Sequence, residues 1–590
     1  MPSAVERIVN GVAGRAWRPR DSLAAVLAGA VACLALGFAP IPFWDEDEPR
    51  FAAIARTMLA TGDWMVPRFN GTLAVDKPVL MHWAMAAAFA IFGPDERAAR
   101  LPAAVATLLA ALALERIGRR CFSPAVGATA ALAFVGCLLV GIEAHAATPD
   151  AILTALTAWA TVLAAEPFLG PTPAARLSTR RALVVGALCG LAVLCKGPIG
   201  LVGPAAVLGA WAWARAVATR ASGGRFALRT AIAGCRDAAS ALRPLPILLA
   251  TLAVAGPWYV IVGLRTAGEW PAGFFLVHNV GRFAAPMENH RGGFLFHAVA
   301  MLVGFYPWSC FLPASVGIAA WRVARGADTP PRRAALGLGL AWLAVWLVGF
   351  SLSATKLPNY VLPAYPAAAL LVGVLAVDAC SRPIWPHPRW LAAGVVSLAL
   401  GGVATAATVL VAGGYGLDGA EAAATVGLVP VAGAAVCWWM RRRWPAGALV
   451  SLALTGLVYT AVAVGPAAGL IARCNTLPAL VVAAHRHAGG TARLGTFPQN
   501  TPNIVYYAGG TVAEWPADAA ADAARFLRSG DDAVLIVAED RFAALAPFLP
   551  HRCGIVDRRR PLFKDHDFLV VGRSNDEASS VGHAPSRPLR

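Results

Sequence analysis

Residues 101–142 read LPAAVATLLAALALERIGRRCFSPAVGATAALAFVGCLLVGI. Two apolar runs, 101–117 and 123–142, flank Arg119 and Arg120, and Arg116 lies at the end of the first. Runs of this kind, ~18 residues or more, are long enough to cross a bilayer as helices. Basic residues concentrate in the cytoplasmic loops of membrane proteins, so the Arg cluster between the runs marks an inside turn.

The same alternation extends along the chain in both directions. It predicts about thirteen spans, at 22–41, 101–117, 123–142, 150–166, 183–197, 199–214, 245–264, 294–321, 335–353, 358–379, 390–412, 425–440 and 447–466. With Arg15, Arg18 and Arg20 inside, the inner loops receive Arg176, Arg180 and Arg181, then Arg215, Arg220, Arg225, Arg229 and Arg236. Further inner clusters are Arg322, Arg325, Arg332 and Arg333, then Arg382 and Arg389, then Arg441, Arg442 and Arg443. Two of the opposite loops, 143–150 and 418–421, carry acids and no base. The apolar segment 79–92 is short for a span, and counting it would put Arg116, Arg119 and Arg120 outside. It is expected to lie along the outer interface, with His82 and Trp83 near headgroup level. No small-residue cleavage site follows the first apolar run, which reads as a retained span.

Composition agrees. Of 590 residues, 58% are hydrophobic and 14% charged, against about 25% charged in soluble proteins. The net charge of +17 lies in short loops between apolar runs, and no nucleic-acid recognition module accompanies it. The eleven cysteines form no C-x-x-C pair. Cys474 and Cys553 would be able to pair if their part of the chain is extracytoplasmic.

The expected organisation is a cytoplasmic N-terminus at 1–21 and a membrane domain at 22–466, whose outer loop 43–100 carries the active site. A small periplasmic α/β domain follows at 467–575, then a disordered tail at 576–590. In the small domain 492–497, 503–508, 533–537 and 568–571 read as strands, and 517–527 and 541–549 as helices.

The unusual polar residues fall on the outer side of this topology. The first outer loop begins Trp44-Asp45-Glu46-Asp47-Glu48-Pro49-Arg50. Consecutive carboxylates repel one another, and Asp47 and Glu48 sit where Pro49 opens a helix. The chain has four Lys, three of them before residue 470: Lys77, Lys196 and Lys356, each at the outer end of an apolar segment. An ammonium is a compact cation suited to phosphate, so carboxylates and lysines on one face suggest a site for an anionic, lipid-linked substrate. Asp76 adjoins Lys77, and Tyr360 follows Lys356 by four positions. Asp150 opens a span after Thr148-Pro149, where taken alone it reads as a helix cap. His278 and Arg282 precede span eight. Asp76 and His278 are candidate ligands for a divalent metal (Zn, Mg or Mn), although two ligands do not complete a site. Asp45-Glu46-Asp47 has the D-x-D form of nucleotide-sugar enzymes, but no Gly-rich phosphate loop accompanies it.

An ordered series of motifs then emerges: Asp47-Glu48-Pro49-Arg50-Phe51, Gly62-Asp63-Trp64-Met65-Val66-Pro67-Arg68-Phe69-Asn70-Gly71, Asp76-Lys77-Pro78, Ala99-Arg100-Leu101-Pro102, Thr148-Pro149-Asp150, Lys196-Gly197-Pro198, His278-Asn279-Val280-Gly281-Arg282-Phe283 and Lys356-Leu357-Pro358-Asn359-Tyr360. It resembles the bacterial aminoarabinose (undecaprenyl-phosphate-sugar: lipid A) transferase family, related to protein O-mannosyltransferases. The resemblance implies a polytopic α-helical GT-C fold in the inner membrane. It also implies transfer of a sugar, with inversion, from polyprenyl phosphate to lipid A or a related envelope acceptor. It assigns Asp47, assisted by Glu48, to orienting or deprotonating the acceptor. Arg50, Lys77 and Tyr360 would hold the donor phosphate, and Asp76 and His278 match positions linked with a metal. We group Asp150 with the catalytic carboxylates, and Lys196, Lys356 and Arg282 with the phosphate ligands. The sequence departs from the family pattern at Asp76, usually Glu, at Val79, usually Pro, and at Ala74-Val75, where a Tyr is common. Alternatives are a protein O-glycosyltransferase, an enzyme for another envelope lipid, and a lipid-linked sugar flippase. The first two differ in acceptor; the third would show repeat halves and mid-span charge, which the sequence lacks.

Overall fold

The computed structural model describes residues 18–44, 46–220, 228–286, 290–381, 388–414, 417–442, 444–498, 502–562 and 566–573. Arg15, Asp45, Arg225, Arg382, Arg443 and the tail 576–590 lie outside the described residues. The chain forms two compact units. The first comprises Met1–Pro40, Met58–Pro67 and Leu73–Leu470; the second comprises Ile41–Thr57, Arg68–Thr72 and Ile471–Arg590.

The first unit is helical. Among the described residues, ten helices are long and apolar enough to cross a membrane, and up to twelve if each of two bent pairs counts as one span. By length and composition this is one to three fewer than the expected thirteen. The segment expected at 183–197 is the Thr179–Lys196 helix, whose 18 residues include Arg180, Arg181 and Lys196 and so exceed the charge a simple span carries. The span expected at 294–321 is broken: Phe296–Gly304 and Trp308–Arg325 meet at 117°, on either side of Pro307. Pro124–Val135 and Leu138–Ala144 bend by 68°, and the Leu138 N–H at the break donates to the Tyr306 carbonyl at 2.9 Å. The 79–92 segment is a 13-residue helix, Leu80–Phe92. His82 does not face headgroups as expected; it is fully buried, and burial pushes its pKa down to about 4, with Asp76 opposing and Lys77 adding.

Buried carboxylates gather the Arg-rich helix ends. Glu166 accepts from Arg116 Nε at 3.0 Å and Arg181 Nη1 at 3.1 Å, and Arg120 joins them. Asp378 accepts from Arg322 Nη1 at 2.5 Å and from Arg332 Nη2 at 3.0 Å. The Asp150–Ala165 and Thr179–Lys196 helices therefore run antiparallel, with Glu166 and Arg181 at one end and Asp150 and Lys196 at the other, roughly 24 Å away. The basic residues used to orient the sequence and the residues singled out for chemistry lie at opposite ends of this hairpin.

Between helices, small residues let backbones touch. A Cβ at Gly118 would lie 2.7 Å from Gly127 Cα and 2.9 Å from its nitrogen. With no hydrophobic drive between helices in lipid, such close packing holds the bundle. Gly118→Leu is expected to cost about 3 kcal/mol through overpacking, read as a lowered Tm in detergent; an unchanged Tm would mean that this contact does not hold the two helices.

The second unit contains a five-stranded sheet, in the order Ala513–Glu514, Arg493–Phe497, Ala533–Ala538, Phe568–Arg573, Cys553–Arg559. The first three strands are parallel and the last two antiparallel to their neighbours. Ala533–Ala538 is buried along its whole length, as expected of a central strand. Phe497, Leu535, Val537, Leu569 and Val571 form the core with Leu527 and Leu545 from flanking helices. The expected strand at 503–508 is instead the helix Pro502–Ala508. Pro502 starts it and Gly509, at φ +75°, follows its end, signals that outweigh the β-branched Ile504 and Val505. The edge strand Cys553–Arg559 was not anticipated because its apolar stretch is only Ile555-Val556 before three charged residues, and none of it is buried. No disulfide joins Cys474 to Cys553.

Candidate active site

In the first unit, the Asp150 and Lys196 ends of the helical hairpin carry a compact polar network. Asp150 stands in the first turn of its helix, and its side chain makes no capping bond, contrary to the reading it invites alone. Its Oδ1 lies 2.5 Å from Lys196 Nζ, and its Oδ2 accepts from Asn359 Nδ2 at 3.3 Å. Lys196 closes the neighbouring helix, followed by Gly197 at φ +78°. An acid at a helix N-terminus and a base at a C-terminus each complement the local dipole, so the pair suits both helices and each partner. Asp150 is 3% exposed, which makes an unpaired charge there costly.

Lys196 Nζ also sits 4.8 Å from the centre of the Tyr360 ring, within cation–π range. Arg282 Nη1 donates to the Tyr360 hydroxyl at 3.1 Å. Asp150, Lys196, Tyr360 and Arg282 are thus one network, with Asn359 as a member that sequence reading quoted but did not single out. Arg282 follows a π-helical segment, Gly273–Gly281, in which Asn279 Nδ2 donates to the Phe274 carbonyl at 2.8 Å. Such widened turns recur at functional sites. His278 lies half-buried on this segment.

Lys356 is placed differently. Its Nζ donates to the carbonyls of Ser351 at 2.6 Å and Phe350 at 3.3 Å. These carbonyls end the Pro330–Leu352 helix, so Lys356 serves as a C-terminal helix cation. Its backbone N–H donates to the His290 carbonyl, and that of Thr355 to the Arg282 carbonyl, which fixes the Arg282 segment.

Lys77 Nζ lies 4.0 Å from Asp76 Oδ2, both side chains largely buried. The motif before them is anchored by indoles: Trp83 Nε1 donates to the Trp64 carbonyl at 2.7 Å, Trp258 Nε1 to Met65 at 3.0 Å and Trp270 Nε1 to Ala74 at 2.7 Å. Arg265 grips Asp63 with two bonds, at 2.7 and 3.1 Å. Burial alone would raise the Asp63 pKa, but Arg265 and the N–H groups of Met65 and Val66 outweigh it and hold the carboxyl below its usual range. Among the described residues no group of three or more His, Cys, Asp and Glu side chains has metal-binding geometry. Asp76 and His278 thus have no third such side chain grouped with them among the described residues.

In the second unit, Asp47 and Glu48 form the first turn of the Asp47–Thr61 helix. Asp47 is exposed and Glu48 buried. Glu48 Oε2 accepts from the Trp44 N–H at 3.2 Å, which tightens the acidic turn around the helix start. Arg50 stacks its guanidinium 5.1 Å from the Phe69 ring centre. Asn70 and Gly71 both adopt positive φ, the pattern of a tight Asn-Gly turn. Asn70 Nδ2 donates to the Val512 carbonyl at 2.8 Å and also binds Glu514. Glu46, Arg50, Phe69, Asn70, Val512 and Glu514 line a cleft of about 520 Å³. The Asn-Gly turn was legible in the sequence; Glu514, 444 residues away, gave no signal.

A family model described as dolichyl-phosphate-mannose-protein mannosyltransferase matches residues 76–232. An undecaprenyl phosphate-alpha-4-amino-4-deoxy-L-arabinose arabinosyl transferase of Edwardsiella ictaluri is 30% identical over 390 residues, covering 64% of this chain and 64% of the relative. The enzyme of the same name from Aeromonas salmonicida is 31% identical over 352 residues, covering 57% of this chain and 56% of the relative. The chain therefore matches less than two thirds of these relatives' length. The crystal structure of ArnT from Cupriavidus metallidurans bound to undecaprenyl phosphate superposes with a TM-score of 0.73 at 22% identity. That match covers 93% of this chain and 97% of the other, and shows a shared fold.

Proposed function

We propose, from the chain's similarity to undecaprenyl-phosphate aminoarabinose transferases, that it moves a sugar from undecaprenyl phosphate to lipid A at the periplasmic face of the inner membrane. The observation that carries this reading is the network of the buried Asp150 with the half-buried Lys196, Tyr360 and Arg282. It offers two cations and an aromatic hydroxyl, held by a carboxylate, at the helix ends remote from the Arg-rich ones. Departure of the lipid phosphate puts negative charge on phosphate oxygens, and fixed cations there stabilise the transition state more than the ground state.

In this reading the bond between the anomeric carbon and the phosphate oxygen breaks and an acceptor oxygen attacks the opposite face, inverting the centre. Undecaprenyl phosphate leaves. Lys196, Arg282 and Tyr360 serve the donor phosphate, with Lys77 and Arg50 assigned to it by the motif series alone; Lys356 supports the Arg282 segment. Asp47 orients a phosphate acceptor, which is already nucleophilic, or takes the proton of a hydroxyl acceptor; Glu48 shapes the turn that presents it. The relatives' names make an aminopentose the proposed sugar.

Envelope mass spectrometry tests the proposal: cells lacking the gene should lose a sugar-sized mass from lipid A, and wild type should restore it. No change in lipid A would overturn the acceptor. The mannosyltransferase-family match at 76–232 supports a protein hydroxyl as second reading, and a mass shift on periplasmic proteins in the same cells would establish it. Arg50→Ala and Lys77→Ala are expected to raise the KM for donor about tenfold, the worth of one charged hydrogen bond; unchanged donor kinetics in both would discard the clamp. Cysteines placed at Glu46 and Arg119 should be labelled from outside only at position 46, and the reverse would invert the topology.

A further inference from the structure

An apolar groove of about 840 Å³ runs between the Thr179–Lys196, Ile199–Arg220, Leu228–Leu242 and Pro244–Arg265 helices. Val185, Cys189, Leu201, Leu208, Leu245 and Leu248 are among its walls. A smaller pocket of about 260 Å³ shares Ala238 and Leu242 with the groove and is lined by Trp211, Arg215, Thr219 and Asp237. The two pockets adjoin at the shared residues, the larger apolar and the smaller carrying charge.

The wall that joins them is the amphipathic helix Leu228–Leu242. Leu228, Ala231, Cys235, Ala238 and Leu242 recur at helical spacing on one side, with Arg229, Arg236 and Asp237 elsewhere. It is fastened, not loose: Trp213 Nε1 donates to the Ala231 carbonyl at 3.1 Å, Arg176 Nη2 to Ser240 Oγ at 2.7 Å, and the Leu177 N–H to the Ala241 carbonyl at 2.8 Å.

Charge decides what the head takes. Asp237 is already neutralised by Arg220, through bonds of 2.6 and 2.8 Å. Arg215 is half-buried, lies 4.8 Å from the Trp211 ring centre and has no acidic partner among the described residues. The pocket thus presents one uncompensated guanidinium beside a groove wide enough for acyl chains. Basic pockets between helices on the inner side of a membrane are built for phosphate headgroups. We propose that this cavity binds an anionic phospholipid, with its phosphate on Arg215 and an acyl chain in the groove. The site is separate from the Asp150 and Lys196 network, which lies at the other helix ends, and does not depend on the reaction assigned there.

Native mass spectrometry of the full chain, loaded with palmitoyl-oleoyl phosphatidylglycerol or with the phosphatidylcholine of the same chains, tests it. One phosphatidylglycerol should stay bound under activation that strips phosphatidylcholine. Arg215→Gln should lower its retention about fivefold, the worth of one basic residue against an anionic headgroup. A second variant guards against misfolding: a Cβ at Gly209 meets nothing within 4 Å, so Gly209→Leu fills the groove without a backbone clash and should lower retention of the same lipid. Equal retention of the two lipids, or wild-type retention in either variant, would overturn the proposal. Displacement of the phospholipid by equimolar undecaprenyl phosphate would overturn it in favour of a polyprenyl occupant.

Discussion

Asp47→Asn lowers sugar transfer by about 10² to 10⁴-fold, the usual contribution of a positioned acid or base, while the amount of protein in the membrane stays at wild-type level. The substitution keeps the shape of the side chain and removes its charge. Asp47 is exposed in the first turn of its helix, where the lost dipole interaction is worth about 0.3–1 kcal/mol and the membrane level reads any further folding cost. A fall in transfer therefore reports chemistry. Wild-type turnover in purified Asp47→Asn would remove this residue from the mechanism, and a fall matched by loss of protein would make its role structural. Glu48→Gln supplies the contrast. Because Glu48 is buried and accepts from the Trp44 N–H, its loss is expected to lower Tm along with activity.

Breaking the ion pair between Asp150 and Lys196 has the second large effect. Asp150→Asn leaves an ammonium among buried groups, and Lys196→Gln leaves a carboxylate that is 3% exposed. Removing one partner of such a pair costs about 3–5 kcal/mol, because the survivor stays uncompensated. Each single variant should therefore show a much lower Tm in detergent. The double variant Asp150→Asn with Lys196→Gln restores a neutral hydrogen-bonding pair and should regain most of that stability. It should not regain transfer, because the proposed phosphate cation is gone. A double variant as unstable as either single one would show that the pair does not act as a unit, and an active double variant would remove Lys196 from donor binding.

What the sequence revealed depended on the range of the interaction. Span positions were legible because each needs only its own apolar run, and Arg residues of the expected inner clusters meet around Glu166 and Asp378. The count failed where composition and geometry part company. Thr179–Lys196 carries its charges at its two ends, where Arg181 and Lys196 find partners. The 294–321 run is continuous in apolarity but turns sharply beside Pro307. In the site, Asp150, Lys196, Arg282 and Tyr360 were named one by one, but that they form one network depends on how the helices pack. Lys356 shows the converse, since its lysine identity suggested phosphate while its position after a helix end gave it carbonyls to bind. In the small domain, the pairing of Asn70 with residues 512 and 514 lay beyond any local pattern.

The second unit also has a consequence for synthesis. Its parts come from the beginning and the end of the chain. Asn475 Nδ2 donates to the Phe43 carbonyl at 2.9 Å, and Arg56 donates to the carbonyls of Tyr506 at 2.6 Å and Val505 at 3.2 Å. These contacts join residues separated by up to 450 positions. The acidic turn leaves the ribosome early, but the partners that fix it are made only after every span has been threaded into the membrane. At ~5–20 residues per second, the turn waits roughly half a minute or more for them. A nascent chain that stalls within the bundle thus inserts its helices but lacks the later residues, Asn475, Val505 and Tyr506 among them, that frame the acidic turn.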